Sequence, residues 1–263
     1  MASRPATRAN PTAQRIILPR RAAAGKILGM RGSSTRPPNG AAPCFDAAYF
    51  RRFYFNRGTR VMTPREMRDK ATLVAALLRQ CRMPVASILD AGCGIGNLRA
   101  PCAKIWPRAA YTGLECSDFL CARYGWVKGS VVDFAPRRRY DLIVCHDVLQ
   151  YLDDRAAARA IANLGRLAHA ALYVCALTVG DWRDNCDQSL TDGDVHLRSA
   201  DWYRRRLSRR FRYLGCGVWV RKSVRPLLWE LERSFAPLTR VRGSSRRAPG
   251  ARVRPRRSRR ADR

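Results

Sequence analysis

The residues from Ser87 to Leu98 read S-I-L-D-A-G-C-G-I-G-N-L. An apolar run ends in the acid Asp90, and a turn follows through Gly92, Cys93, Gly94 and Gly96. Asn97, Leu98 and Arg99 then open a helix-compatible stretch. A strand, a glycine turn and a helix start in this order let a backbone come close to a bound cofactor. The acid limits which cofactor that is. A dinucleotide loop, G-x-G-x-x-G, would need a third glycine at 97, where Asn97 stands. Asp90 would also lie beside a pyrophosphate and repel it.

S-adenosylmethionine (SAM) suits the same residues. Its ammonium and sulfonium groups are attracted to an acid at the loop, and the free N–H groups of a helix start suit its carboxylate. Tyr111-Thr-Gly-Leu-Glu115 reads as a second strand ending in an acid, and an acid so placed accepts from both hydroxyls of a ribose. Gly129-Ser-Val-Val-Asp133-Phe134 sets another acid after a short apolar run. There Asp133 would accept from the adenine amino group, with Val132 packed on the ring. Tyr140-Asp-Leu-Ile-Val-Cys145 is a strand, and His146-Asp-Val-Leu-Gln-Tyr-Leu152 follows its end. Ligands of open α/β sheets bind beyond the carboxyl ends of the strands, so all four segments, Cys145 and His146 included, point to one crevice.

With L-D-A-G-C-G-I-G (Leu89 to Gly96), G-L-E (Gly113 to Glu115), V-V-D-F (Val131 to Phe134) and Y-D-L-I-V-C-H-D-V-L-Q-Y-L (Tyr140 to Leu152) in order, the chain resembles the class I SAM-dependent methyltransferases. The resemblance spans residues 45 to 222. It implies that Asp90 and the glycine loop hold the methionine end of SAM, Glu115 the ribose and Asp133 the adenine. It is nearly silent on the methyl acceptor.

The elements that would position these residues alternate. Strands are expected near 87–90, 111–115, 126–131, 140–145 and 171–177, and helices near 96–104, 117–123 and 153–168. Arg210–Leu214 and Gly217–Arg221 read as a closing hairpin around Gly215. The sum is an α/β fold: a doubly wound, mostly parallel seven-stranded sheet with helices on both faces. Ahead of this domain (85–222) lies an aromatic, helical cap (44–84). Its helix begins at Thr63-Pro-Arg-Glu66, with proline at the first helical position and a capping glutamate. Residues 223–237 form a candidate amphipathic helix on Val224, Leu227, Leu228 and Leu231.

Methyl transfer is an in-line displacement at a carbon already activated by sulfonium, so alignment and water exclusion matter most. A base is needed only if the nucleophile must lose a proton. His146, just past the fourth strand, is the first candidate and His196 the second; each also has a reading as pocket wall or loop brace. The segment Thr178–Trp202 leaves the ligand edge and carries a cluster of five aspartates between Asp181 and Asp194 in a very basic chain, which reads as a substrate-facing lid. Asp181, Trp182 and Arg198 are its candidate acceptor residues, although Arg198 has a second reading as a brace for the following helix. Aspartates suit an acceptor bearing an amine. Asp194 to Tyr203 resembles the "H-x-R then helix" step of small-molecule members of the family. A second place for the acceptor is the aromatic group Tyr49, Phe50, Phe53 and Tyr54. The family's amino-methylating nucleic-acid members carry an N-P-P-Y-type motif where this chain has Cys145-His-Asp-Val148, which disfavours that chemistry.

The net charge is +31. Residues 1–43 hold eight basic residues and no acid, and residues 238–263 hold eleven arginines against Asp262. Both ends lack an apolar period and are expected to be disordered. They would bind nucleic acid electrostatically, or they reflect compositional drift, since only five of the basic residues are lysine. The first tail also reads as a transit peptide or an early start. Ten cysteines without a C-x-x-C pair suggest a reducing, cytoplasmic setting. With three histidines and no cysteine at ligand spacing, no metal set is expected. No apolar run approaches the length of a membrane span, and nothing in the sequence marks an oligomeric state. The leading expectation is a methyltransferase acting on a small molecule. The alternatives are an RNA or protein methyltransferase guided by the tails, and a SAM-binding protein without catalysis.

Overall fold

The computed structural model describes residues 45–232. The two basic tails lie outside the described residues. The first elements are α1 (Ala47–Phe50), a π-helical turn (Arg51–Phe55) and α2 (Pro64–Gln80). Helix α2 starts as its sequence requires: Thr63 accepts from the Glu66 backbone N–H while the Glu66 carboxylate accepts from the Thr63 backbone, with Pro64 at the first helical position.

The sheet comprises β1 (Ser87–Ala91), β2 (Ala110–Glu115), β3 (Val127–Lys128), β4 (Tyr140–His146), β5 (Ala168–Cys175), β6 (Phe211–Gly215) and β7 (Val218–Arg221). Their spatial order is β3-β2-β1-β4-β5-β7-β6. The first five run parallel, and β7 enters antiparallel between β5 and β6. Helices α3 (Arg99–Ile105), α4 (Asp118–Tyr124) and α5 (Asp154–Leu167) are crossovers, and α6 (Val179–Asp184) and α7 (Ala200–Leu207) follow β5.

Period-two alternation of apolar residues builds a core on each face. Leu89, Ile143, Cys145, Leu172 and Trp219 pack against Ala160, Ile161 and Leu164 of α5 and Tyr203 and Leu207 of α7. Ile88, Leu142, Val144, Ala171 and Val220 face the other way, against Met67, Ala71, Val74 and Leu78 of α2 and Cys102 of α3. The expected doubly wound, seven-stranded architecture is therefore the observed one. The order reverses between β1 and β4, whose C-terminal ends flank the point where a ligand is expected.

Three expectations are corrected. Strand β3 is two residues long rather than six, because the chain turns at Ser130, whose carbonyl accepts from the N–H groups of Asp133 and Phe134. The lid begins with a helix, α6. Residues 223–232 form no α-helix: they run as an extended strap ending in a 3-10 turn at Glu230–Glu232. Pro226 explains this, since it has no N–H to give and disfavours helical geometry in the residue before it. The apolar side chains of the strap still find the core: Val224 and Leu228 pack on the α2 side, and Leu227 N–H donates to the Cys81 carbonyl.

Candidate functional site

The glycine loop leaves β1 with Gly92 and Cys93 N–H both donating to the Leu114 carbonyl of β2, at 2.8 and 3.0 Å. Gly92 and Gly96 hold φ of +79° and +80°, a region that side chains disfavour. A Cβ at Gly96 would also lie 2.7 Å from the Trp126 ring. Trp126 buttresses the loop, its indole N–H donating to the Gly94 carbonyl at 3.0 Å. Glu115 acts on the loop too. One carboxylate oxygen accepts from Gly94 N–H (2.8 Å), and the other accepts from Cys116 and Ser117 N–H (2.8 and 3.0 Å). The residue expected to hold a ribose thus also sets the loop's shape.

Asp90 is buried at the end of β1 and accepts a 2.5 Å hydrogen bond from the Tyr111 hydroxyl. Burial raises its carboxyl to about 6; the Tyr111 hydrogen bond and nearby His146 pull it down without cancelling that effect, and Glu115 adds to the rise.

Two cavities open here. One, with about 670 Å³ of empty space, is lined by Gly92, Gly94, Glu115, Cys116, Ser130 and Val131, and by His146, Asp147 and the rings of the cap. The other, about 480 Å³, is lined by Asp90, Cys93, Ile95, Asn97 and Leu98, with Met62 and Met67 across from them. They share Tyr54, Gly92, Gly94, His146 and Asp147. An elongated ligand with its amino-acid end near Asp90 and its ribose near Glu115 would cross this junction.

Some expected cofactor residues sit elsewhere. Asp133 is exposed and Val132 packs into the core beneath α5, because the turn at Ser130 presents Ser130 and Val131 to the cavity instead. Cys145 is wholly buried in the sheet. It points away from both cavities, since alternation along β4 sends His146 to the opposite side.

His146 ends β4. Its Nδ1 lies 3.1 Å from the Asp147 carboxylate, and its Nε2 is buried with no hydrogen-bond partner. Burial alone would lower its pKa, but the neighbouring Asp147 and Cys175 outweigh that and raise it to about 10. Asp147 adopts φ +54°, uncommon for a residue with a side chain and the kind of local strain found at functional sites. Its carboxyl is also hydrogen-bonded by Gln150, whose Oε1 is buried without a partner. Across the β4–β5 pairing His146 faces Cys175, and ligand-type atoms of His146, Asp147 and Cys175 lie within 4.8 Å of one another. Residue spacing along one strand could not reveal this group, because Cys175 comes from the neighbouring strand.

The cap roofs the larger cavity. Tyr49 and Tyr151 hydroxyls are 2.8 Å apart, and Ser117 Oγ donates to the Phe45 carbonyl at 2.6 Å. Tyr49 packs against Phe45, Phe50, Phe53 and Tyr54 at 5.0–6.2 Å between ring centres. Of the four cap aromatics picked from sequence, Tyr49, Phe50 and Tyr54 line the cavity. Tyr151 and Asp147 were missed as site residues, though both stand in the motif that follows β4.

The lid contributes less than its composition suggests. Asp181 closes a capping box with Thr178 and accepts from Asn185, which makes it an end-piece of α6. The spacing T-x-x-D at Thr178 was the signal for that helix. Asp184 pairs with Arg183, and Asp187 binds Ser189. Trp182 is half-buried beside Gly193. His196 is exposed, anchored by its backbone N–H to the Gln150 carbonyl at 2.7 Å. Neither Trp182 nor His196 lines the cavities. Arg198 is a brace: its buried guanidinium donates to Asp154, to the carbonyls of Leu149, Leu152 and His196, and to the Tyr203 hydroxyl. Asp192 is the lid carboxylate that acts on the cap tyrosines Tyr49 and Tyr54 and on Tyr151, pushing up their pKa alongside their burial.

Residues 89–170 match a family model described as a methyltransferase domain. Two trans-aconitate 2-methyltransferases are similar. That of Azoarcus sp. (strain BH72) is 33% identical over 78 residues, 27% of this chain and 31% of its own. That of Streptomyces avermitilis is 36% identical over 98 residues, 32% and 36% of the two chains. The chain spans about a third of the length of the curated relatives it matches. Among solved structures, magnesium protoporphyrin IX methyltransferase from Synechocystis PCC 6803 with bound SAM aligns with TM-score 0.44 and 18% identity, over 59% of this chain and 79% of that one. Streptomyces venezuelae DesVI aligns with TM-score 0.47 and 16% identity, over 64% and 94%.

Proposed function

We propose that this chain, whose core is a class I SAM-dependent methyltransferase domain, transfers the methyl group of SAM to a small molecule held beneath the aromatic cap. The observation that carries this reading is the junction of the two cavities at Gly92, Gly94, Tyr54, His146 and Asp147. The cavity beside Asp90 takes the amino-acid end of SAM. The arm past Glu115 toward Ser130 and Val131 takes ribose and adenine. The remaining space, under Tyr49, Tyr54 and Tyr151, takes the acceptor.

In this arrangement the chain orients and excludes water. The cap covers the reacting centre, and the glycine loop lets backbone approach the cofactor. Transfer is an in-line displacement in which the acceptor's lone pair forms the new bond to the methyl carbon as the carbon–sulfur bond breaks. His146 is placed to take the acceptor's proton, with Asp147 fixing the ring through Nδ1. Asp147 favours the charged imidazolium, whereas the sulfonium of bound SAM favours the neutral ring, so cofactor binding prepares the base. His196, exposed and outside the cavities, is not assigned a proton-transfer role. Nine free cysteines among the described residues support a reducing setting such as the cytoplasm. Among those residues no helix is long and apolar enough to cross a membrane.

Transfer of radiolabelled methyl from SAM into a cell extract, separated into metabolites, RNA and protein, tests this. Label in the metabolite fraction is expected. Label confined to RNA or protein would refute a small acceptor.

A further inference from the structure

We infer that the acceptor is an amine, cationic in solution and seated against the rings of Tyr49, Tyr54 and Tyr151 with Asp147 in the same wall; this rests on the cavity assignment above. Two features lead there. The first is the composition of the wall. Three tyrosine and two phenylalanine rings line the larger cavity with Glu115 and Asp147, and no lysine or arginine among the described residues lines either cavity. Aromatic faces with nearby carboxylates attract a cation and disfavour an anion.

The second is the sign of the local field. The charged groups that act on the Tyr54 hydroxyl are Asp147, Glu115 and Asp192, all negative. Asp192 also acts on Tyr49, and Asp192 and Asp147 act on Tyr151. Two cations act on Asp147: His146, at 3.1 Å, and Lys70. Asp90 and Glu115 are accounted for by the cofactor. Asp192, in the segment between α6 and α7, is not, and it acts on all three tyrosines.

The chemistry balances. The bound ammonium gives one proton to neutral His146. The freed nitrogen lone pair forms the nitrogen–carbon bond as the carbon–sulfur bond of SAM breaks, and the products are the methylated ammonium and S-adenosylhomocysteine. A tricarboxylate would instead bring several negative charges to a wall of phenols and carboxylates, so this site is set against the acid substrate that the similar proteins' names carry.

The experiment uses the full chain saturated with S-adenosylhomocysteine, titrated calorimetrically with benzylamine, its uncharged isostere benzyl alcohol, and trans-aconitate. Benzylamine should bind at least about tenfold tighter than benzyl alcohol, as one cation against aromatic and acidic groups implies, and trans-aconitate should not bind. Asp192→Asn should bring the two benzyl compounds within about twofold of each other and leave S-adenosylhomocysteine affinity unchanged. Equal binding of the two benzyl compounds, no binding of either, tighter binding of trans-aconitate, or indifference to Asp192→Asn would each overturn the inference. Failure to bind S-adenosylhomocysteine at all would instead overturn the cofactor assignment, so the two failures are distinguishable.

Discussion

Asp90→Asn separates what the cofactor site needs from what the fold needs. An ordinary aspartate carboxyl titrates near 3.8, and burial moves Asp90 to about 6. Because the folded value is the higher one, this group's contribution to stability is fully present below pH 3.8 and is lost as pH rises through about 6. That separation corresponds to about 3 kcal/mol at pH 7.5. Asparagine removes the buried charge while its oxygen can still accept from the Tyr111 hydroxyl. The ligand-free variant should therefore be more stable than the parent at pH 7.5 by about 1–3 kcal/mol, a melting temperature higher by about 3–8 °C, and the gain should vanish near pH 4. SAM should show the opposite. Losing a charge-assisted contact of about 1.5–3 kcal/mol weakens binding about 10- to 150-fold. Thermal melts across pH with and without SAM, together with calorimetric affinities, provide both readouts. A variant less stable than the parent at pH 7.5, or one that binds SAM within twofold of it, would refute the reasoning.

Glu115→Ala leaves the N–H groups of Gly94, Cys116 and Ser117 without their carboxylate; it should lose about 2–3 kcal/mol of stability by denaturant titration as well as SAM affinity. Asp147→Asn removes the anion that holds His146 charged. The pH at which the methyl-transfer rate rises should then move downward from its alkaline position, and an unmoved profile would remove His146 from proton transfer. Arg198→Met strips hydrogen bonds from the Leu149, Leu152 and His196 carbonyls, so about 2–4 kcal/mol should be lost and melting should fall by about 5–12 °C. Restored activity at low temperature would mark Arg198 as a brace rather than an acceptor contact.

The sheet was legible because its signals are local. Ile88 and Leu89, or Leu142 and Ile143, alternate between two cores, and that alternation is written in residue type. The loop after β1 was legible because glycines at positive φ have few substitutes. The strap was misread because an apolar period was counted without weighing Pro226. The lid was legible only as charge: most of its aspartates satisfy nearby backbone or side-chain donors, which composition cannot distinguish from ligand binding. The His146–Asp147–Cys175 group and the Tyr49–Tyr151 contact depend on strand pairing and on the docking of a distant segment, which no local pattern encodes.

The roof over the site also has a place in time. Residues 45–55 leave the ribosome before the strands they cover, yet their partners Ser117 and Tyr151 stand 72 and 102 residues farther along. Closing such long loops is slow relative to local structure formation. The roof is therefore expected to dock after the sheet has formed and to detach before the sheet melts. A roof that detaches first would open the cavities without any strand being disturbed.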